Sequence, residues 1–326
     1  MNHNPELAVD VTNLHKVFYS IRGFWQQHKH PVTAVEDISF DIKRGELFGI
    51  VGPNGAGKTT TVKMLATLLL PTSGTASVLG LDILHNTGEI RKRIGFTFGG
   101  NKGLYGRLSG LDNLRYFAEL YKLDPALING RIQELLEIVG LTGREQDRVE
   151  TYSSGMQQRL HLARAMLHDP ELIFLDEPTV GIDPIGAREI RGLVRELVRQ
   201  SKTVLLTSHY MYEVEELCDR IAVVNHGKII ALDTPEALKQ RASGDSVIVV
   251  QAPSENPALQ RELVALECDI DHWNNNGKAI SIQTKRPAHI LNALAALLER
   301  QAISNIEVRN ATLEDVYVKI IQESDA

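Results

Sequence analysis

A glycine-rich segment, GPNGAGKTT, follows the apolar run ELFGIV and opens the helical pattern TTTVKMLATLL. It matches G-x-x-x-x-G-K-[ST], in which glycines let the backbone wrap around phosphate and a helix N-terminus presents free N–H groups. We expect Lys58 to reach the β- and γ-phosphates of a nucleotide and the Thr59 hydroxyl to ligate Mg²⁺. The predicted nucleotide-binding residues of this P-loop are Gly52, Pro53, Asn54, Gly55, Ala56, Gly57, Lys58, Thr59 and Thr60.

A pair of acids ends the apolar run LIFL, as Asp176 and Glu177. The C-terminal end of a buried strand is where an α/β sheet presents its ligand groups. Alone, such a pair is more often a solvated strand end. Beside a P-loop, the pair indicates that Asp176 holds Mg²⁺ through water and that Glu177 polarises an attacking water.

The chain of 326 residues has room for about two domains. Apolar strands alternate with helical patterns, including 111–139, 154–167 and 186–199, and this predicts an α/β domain with buried parallel strands. The pattern changes near LKQRASGDS, which divides the chain into domains 1–240 and 241–326, the second a small α+β unit. The segment FWQQHKHP, residues 24–31, breaks the first strand pattern and is predicted to be an inserted loop.

Composition excludes several classes of function. The net charge of −6 argues against a general nucleic-acid binder. The two cysteines, Cys218 and Cys268, lie far apart without metal-site spacing and are typical of a reducing compartment. No run approaches the roughly 18 apolar residues that span a membrane, and no signal-peptide pattern is present. We therefore expect a soluble chain whose membrane partner, if it has one, is another polypeptide.

The segment TYSSGMQQRLHLARAMLHDPELIFLDEPTVGIDP resembles the signature region of ABC ATPases. Its YSSGM stands where that family has L-S-G-G-Q, its GID resembles the D-loop, and His209 after LLTS resembles the switch histidine. The resemblance spans residues 7–240 and identifies the chain as a member of the ABC ATPases. It implies an α/β P-loop ABC ATPase domain with a helical signature subdomain, followed by the small C-terminal α+β domain.

The resemblance also implies roles for the matched residues. Two such domains pair head to tail, so that Ser153 and Gly155 of one contact the γ-phosphate bound by the other. Glu177 would be the general base, His209 would stabilise the γ-phosphate and the attacking water, and Asp183 would couple the two sites.

Adenine recognition is assigned by the same resemblance to an aromatic residue after the first strand. The segment NLHKVFYS places Phe18 there, with Tyr19 as the alternative, and packing in the core is the other interpretation of Phe18. Trp25 of the inserted loop either anchors it to a partner or lipid headgroup or simply packs against the chain.

The segment GFTFGGNKGLYGRL departs from the family, because the usual glutamine position falls on Gly100. We hypothesise that Gly99 and Gly100 form a mobile hinge, with Asn101 or Lys102 as alternative polar contacts. The signature departs too, since Ser154 replaces its first glycine and Met156 its glutamine.

The ending ATLEDVYVKII is similar to the tail of ABC ATPases from multidrug, antibiotic and polysaccharide exporters. The expected function is the ATP-hydrolysing subunit of a membrane exporter, with ATP and Mg²⁺ as cofactors. It would form a homo- or heterodimer on the cytoplasmic face of the membrane, bound to a separate multi-span permease, with no nucleic-acid partner. The alternatives are an importer subunit, a soluble ABC ATPase of translation or DNA repair, and a weak regulatory subunit suggested by Gly100 and Ser154.

Overall fold

The computed structural model describes residues 5–22, 28–97, 103–241, 246–251, 269–274, 279–284, 287–299 and 303–325. The chain divides into two compact units, Met1–Leu232 and Asp233–Ala326. In the first unit, the elements in chain order are β1 (Leu7–Arg22), β2 (His28–Lys43), β3 (Leu47–Val51), α1 (Lys58–Leu65), β4 (Ser73–Val78), β5 (Leu81–Asp82), α2 (Thr87–Arg93), β6 (Ile94–Thr97), α3 (Gly110–Leu120), α4 (Pro125–Ile138), α5 (Ser154–Met166), β7 (Leu172–Asp176), α6 (Pro184–Arg199), β8 (Thr203–Ser208), α7 (Met211–Leu217), β9 (Arg220–Asn225) and β10 (Lys228–Asp233).

A six-stranded sheet organises this unit, in the order β10-β9-β3-β8-β7-β6. The neighbours β9, β3, β8, β7 and β6 pair in parallel, and every residue of β3, β7 and β8 is buried. Apolar runs of this kind form parallel strands because both faces of the sheet are covered. The predicted α/β layering is confirmed, and the carboxyl ends of β3, β7 and β8 meet at one edge.

An antiparallel sheet, in the order β2-β1-β4-β5, lies across the hydrophobic core from the parallel one. The core joins apolar side chains of β1 and β2 to those of α1, β3, β7 and β8, and Phe40 stacks on Phe48 with ring centroids 5.4 Å apart. This packing fixes α1, and the loop before it, between the two sheets.

The helical pattern 111–139 forms two helices, α3 and α4. Lys122 between them has a φ of 58°, in the left-handed region that ends a helix. The Asp124 side chain then caps α4 by accepting from the Ala126 N–H at 3.0 Å, and Pro125 occupies the first helical position. The two helices pack on each other and on α5.

The prediction of a loop at 24–31 is wrong for residues 28–31. The hairpin of β1 and β2 continues until Arg22 pairs with His28, so that 28–31 belong to a strand. Residues 23–27, and with them the prediction for Trp25, lie outside the described residues.

The second unit contains α8 (Pro235–Arg241), β11 (Ser246–Gln251), β12 (Asp269–Asn274), β13 (Ala279–Thr284), α9 (Pro287–Glu299), β14 (Asn305–Asn310) and α10 (Leu313–Asp325). Its four strands form an antiparallel sheet in the order β12-β13-β11-β14. Buried side chains of β11, such as Ile248, and of α9 and α10, such as Leu294 and Val316, supply an apolar interior. This is the small α+β arrangement predicted from the sequence. Across the described residues of the chain, no helix combines the length and apolar character needed to cross a membrane.

Candidate functional site

The P-loop is held in a conformation that only glycine allows at two positions. A Cβ on Gly52 would lie 2.1 Å from the backbone oxygen of Val224. A Cβ on Gly57 would lie 2.4 Å from the oxygen of Ala34, and Gly57 has a φ of 104°. Because α1 begins directly afterwards at Lys58, the loop presents the free N–H groups of a helix start toward its concave side.

The Lys58 ammonium lies inside this loop, with a side chain only 5% exposed. It donates to the carbonyl oxygens of Gly52 at 2.7 Å and Pro53 at 3.2 Å, and it is 3.6 Å from Oε1 of Glu177. Burial lowers the pKa of Lys58, and the Glu177 carboxylate partly offsets that shift. The charge is therefore held where the phosphates of a nucleotide would enter, by groups that a phosphate can replace.

Asp176 ends β7 as a buried carboxylate whose Oδ1 accepts two hydroxyl hydrogen bonds. One comes from Thr59 of α1 at 3.0 Å, and the other comes from Thr207 of β8 at 2.7 Å. The sequence prediction included Asp176 and Thr59 but missed Thr207. The sequence does place this hydroxyl residue two positions before His209, on a strand that ends at the same edge, but it does not give the register that sets Thr207 opposite Asp176.

Glu177 follows Asp176 with a φ of 50°, an uncommon conformation for a non-glycine residue. Its N–H donates both to the oxygen of Thr207 at 3.1 Å and to the Thr207 hydroxyl at 3.0 Å. Its Oε1 lies 3.6 Å from Lys58 Nζ and 3.4 Å from Nδ1 of His209. The His209 ring packs in turn against the ring of Tyr210, with centroids 4.1 Å apart and the ring planes tilted by 40°.

The signature and D-loop residues lie at two helix starts. The Ser153 hydroxyl caps α5 by accepting from the Met156 N–H at 3.2 Å, and the Asp183 carboxylate caps α6 through two N–H groups at 3.0 Å. Gly155 packs near Ile182, just before the cap of α6. In the part of the chain that the structure describes, no hydrogen bond or ion pair joins Ser153, Gly155 or Asp183 to the P-loop.

Phe18 lies on β1 with 42% of its surface exposed, and the Lys16 ammonium lies 5.2 Å from its ring centroid. An aromatic face this accessible is not part of the core. Tyr19 is more exposed still, at 63%. Residues 98–102, and with them the hinge hypothesis for Gly99 and Gly100, lie outside the described residues.

The donor set fits Mg²⁺ carried by a nucleotide rather than a metal bound by the protein alone. Among the described residues there is no cluster of three or more His, Cys, Asp or Glu side chains that could hold a metal ion. The predicted ligands, the Thr59 hydroxyl and the Asp176 carboxylate, lie next to each other. Mg²⁺ prefers oxygen ligands and is commonly held by one or two carboxylates together with substrate phosphates, so these residues fit it.

Known proteins resemble this chain along most of its length. The profile of the ABC transporter family matches residues 35–180. The ABC transporter ATP-binding protein NatA of Bacillus subtilis is 42% identical over 214 residues, which cover 66% of this chain and 87% of that protein. The linearmycin resistance ATP-binding protein LnrL of Bacillus subtilis is 36% identical over 298 residues, 87% of this chain and 96% of that protein. This match is longer than the first unit and so extends into the second.

Among solved structures, cbiO1 from Clostridium perfringens, part of the ABC transporter complex cbiONQ, matches with a TM-score of 0.62 and 26% identity. The match covers 72% of this chain and 90% of cbiO1.

Proposed function

The chain belongs to the ATP-binding proteins of the ABC transporter family, and on that premise we propose that it hydrolyses MgATP to drive export through a separate membrane permease. The observation that carries this proposal is the meeting of Lys58, Asp176, Glu177 and His209 at the carboxyl edge of one sheet. A phosphate cradle, a magnesium carboxylate, a candidate base and a neighbouring imidazole are the parts that phosphoryl transfer to water requires.

In this proposal each of these residues has a task. Lys58 exchanges the carbonyls of its own loop for the β- and γ-phosphates of ATP. Thr59 and Asp176 would hold Mg²⁺, which would supply positive charge to neutralise the phosphates. The Glu177 carboxylate accepts a proton from the water that attacks the γ-phosphate, while His209 beside it orients the water and the phosphate.

A second ABC ATPase chain completes the site in this proposal. Ser153, Gly155 and Asp183 lie at helix N-termini, where backbone N–H groups favour an anion, yet in the described residues no hydrogen bond or ion pair joins them to the P-loop of their own chain. Head-to-tail pairing would bring them to the nucleotide of the other chain. Phe18, with its open face, is the proposed stacking partner for adenine, and the proposed domain division is 1–240 and 241–326.

Export is favoured over import by the relatives. LnrL is named for resistance to linearmycin, and its similarity includes part of the second unit of this chain. By this likeness, the chain acts at the cytoplasmic face of the membrane, held there by the permease, which selects the substrate.

The function is tested first by the hydrolysis of ATP. We expect the purified chain to release phosphate from MgATP, and Glu177→Gln to slow that release by about 100-fold or more while ATP still binds, because general-base catalysis is worth that much. The matched control is Glu119→Gln, which removes an exposed carboxylate from α3 and should keep the full rate. Equal rates for Glu177→Gln and the unsubstituted chain would contradict the assignment of the base.

Transport is tested by the partner. The tagged chain, recovered from detergent-solubilised native membranes, should bring a multi-span permease with it, identified by mass spectrometry. Recovery of ribosomal or DNA-repair proteins in place of a permease would contradict export and leave the ATPase chemistry standing.

A further inference from the structure

Thr207 is the residue at the centre of the site to which no role has been assigned. It lies on β8, between the P-loop strand β3 and the acid strand β7, and it is paired in register with Asp176. Its side chain is completely buried. Buried hydroxyls are generally hydrogen-bonded, and the partners of this one are the carboxylate of Asp176 and the backbone N–H of Glu177.

Both hydrogen-bonding capacities of the Thr207 hydroxyl are used at once. Its proton is donated to Oδ1 of Asp176 at 2.7 Å, and its oxygen accepts the N–H of Glu177 at 3.0 Å. Thr59 approaches the same Oδ1 from α1, so the Asp176 carboxylate is held from two different elements. Hydrogen bonds to a charged group are among the stronger ones in proteins, which makes this orientation well fixed.

We propose that Thr207 is a positioning residue for ATP hydrolysis: its hydroxyl orients the Mg²⁺-binding carboxylate of Asp176 and sets the start of the turn that carries Glu177. This inference rests on the proposed function. Because it orients Asp176, Thr207 affects the concentration of Mg²⁺ that hydrolysis requires. Because it accepts the N–H of Glu177, it affects the direction in which the Glu177 carboxylate points.

The sheet itself does not depend on this hydroxyl. The N–H of Glu177 also donates to the backbone oxygen of Thr207 at 3.1 Å, and the parallel pairing of β7 with β8 is made entirely by backbone groups. Removing the hydroxyl while keeping the branched shape therefore leaves the strand in place and releases the carboxylate. A defect in catalysis can then be separated from a defect in folding.

The chain offers a matched control in Thr203 at the start of the same strand. Thr203 is 2% exposed, and its hydroxyl accepts the N–H of Gly45 at 2.9 Å, at the end of β8 opposite to the site. Thr203→Val removes a buried hydroxyl from β8 without touching the acids.

The test compares Thr207→Val, Thr207→Ser and Thr203→Val in the full chain, by ATP hydrolysis over a titration of Mg²⁺. We expect Thr207→Val to lower kcat by about tenfold or more, the loss of one hydrogen bond to a carboxylate, and to raise the Mg²⁺ concentration that gives half the maximal rate. The KM for ATP at saturating Mg²⁺ should change much less. Thr207→Ser should restore most of the rate, and Thr203→Val should keep the unsubstituted rate and Mg²⁺ dependence.

Results other than these contradict either the positioning role or the proposed function, as follows. If Thr207→Val keeps the normal rate and Mg²⁺ dependence, or if Thr203→Val loses as much, the positioning role is wrong while the proposed function stands. If the unsubstituted chain hydrolyses no ATP, the proposed function fails and this inference fails with it. Thermal unfolding of every variant is measured, with Thr207→Ala as the second hydroxyl-free variant. If neither Val nor Ala folds, the hydroxyl is structural and the proposal is overturned.

Discussion

At the scale of single residues, burial decides which groups near the site carry charge. Lys58 keeps a carboxylate and two carbonyls close by, and these stabilise its buried ammonium. His161, on α5, is completely buried, and neither of its ring nitrogens has a hydrogen-bond partner among the described residues. Burial, aided by the nearby Arg164 guanidinium, lowers the pKa of His161 to about 3. The imidazole is therefore neutral in the folded protein at any physiological pH.

This burial predicts a dependence of stability on pH. The unfolded chain protonates His161 near its ordinary pKa of 6.5, whereas the folded chain does so only near 3. The contribution of neutral His161 to the free energy of unfolding is therefore fully present above pH 6.5. It is lost as the pH falls from 6.5 toward 3, by roughly 1 kcal/mol for each pH unit. His161→Leu removes this titrating group. Between pH 6 and 4, the free energy of unfolding of the variant should therefore fall less steeply with pH than that of the unsubstituted chain. Parallel slopes for the two proteins, measured by urea unfolding, would contradict the assignment.

At the scale of elements, the break between α3 and α4 shows how a local signal can override a periodic one. The apolar spacing continues through 111–139, but Asp124 and Pro125 together form a helix start inside it. The capping carboxylate accepts the Ala126 N–H, which otherwise has no partner in the helix.

We expect Asp124→Ala to lower the free energy of unfolding by about 1 kcal/mol, the usual value of an N-cap. Asp124→Ser keeps an oxygen that can accept the same N–H, so it should retain most of the stability. Because Asp124 is distant in sequence from every assigned site residue, ATP hydrolysis should not change in either variant. Chemical denaturation checks the first two statements, and an Ala variant as stable as the unsubstituted chain would show that the cap contributes nothing.

The elements also show what could be predicted from the sequence. The strands β3 and β7, the P-loop and the acids were predictable, because each joins an apolar run to a motif that has one known geometry. Thr207 was missed because its role depends on which residue of β7 it faces, and register is a long-range property of the sheet. The strand at 28–31 was missed because Lys29 and Pro31 are poor strand formers, and pairing with β1 decided their conformation.

At the scale of the whole molecule, the proposed pairing of two chains depends on the start of α5. A Cβ on Gly155 would meet its nearest atom, Cγ2 of Ile182, at 3.6 Å, an ordinary contact. The chain therefore has room for a Cβ atom here. In the proposed dimer, the γ-phosphate of the nucleotide bound by the partner chain approaches Gly155. A negatively charged side chain at this position would repel it.

We expect Glu177→Gln to elute as a dimer in MgATP and as a monomer without it, because ATP bound between the chains is not consumed. Adding Gly155→Asp should keep the chain folded and monomeric in MgATP, since the new carboxylate repels the phosphate of the partner. Adding Gly155→Ala should keep the dimer. Size-exclusion chromatography with light scattering checks all three, and a dimer of the Asp variant as stable as that of its parent would contradict head-to-tail pairing.

The position of β3 inside the parallel sheet has a consequence for folding during synthesis on the ribosome. Val51, next to the P-loop, pairs with Ser208 on one side and with Val223 on the other. The ribosome must add about 170 further residues after Val51 before both neighbours exist, which takes about ten to thirty seconds at ~5–20 residues per second. Throughout that interval the P-loop is already made, but β3 lacks at least one of its two neighbours. The sheet around the P-loop can therefore be completed only after β9 has been synthesised.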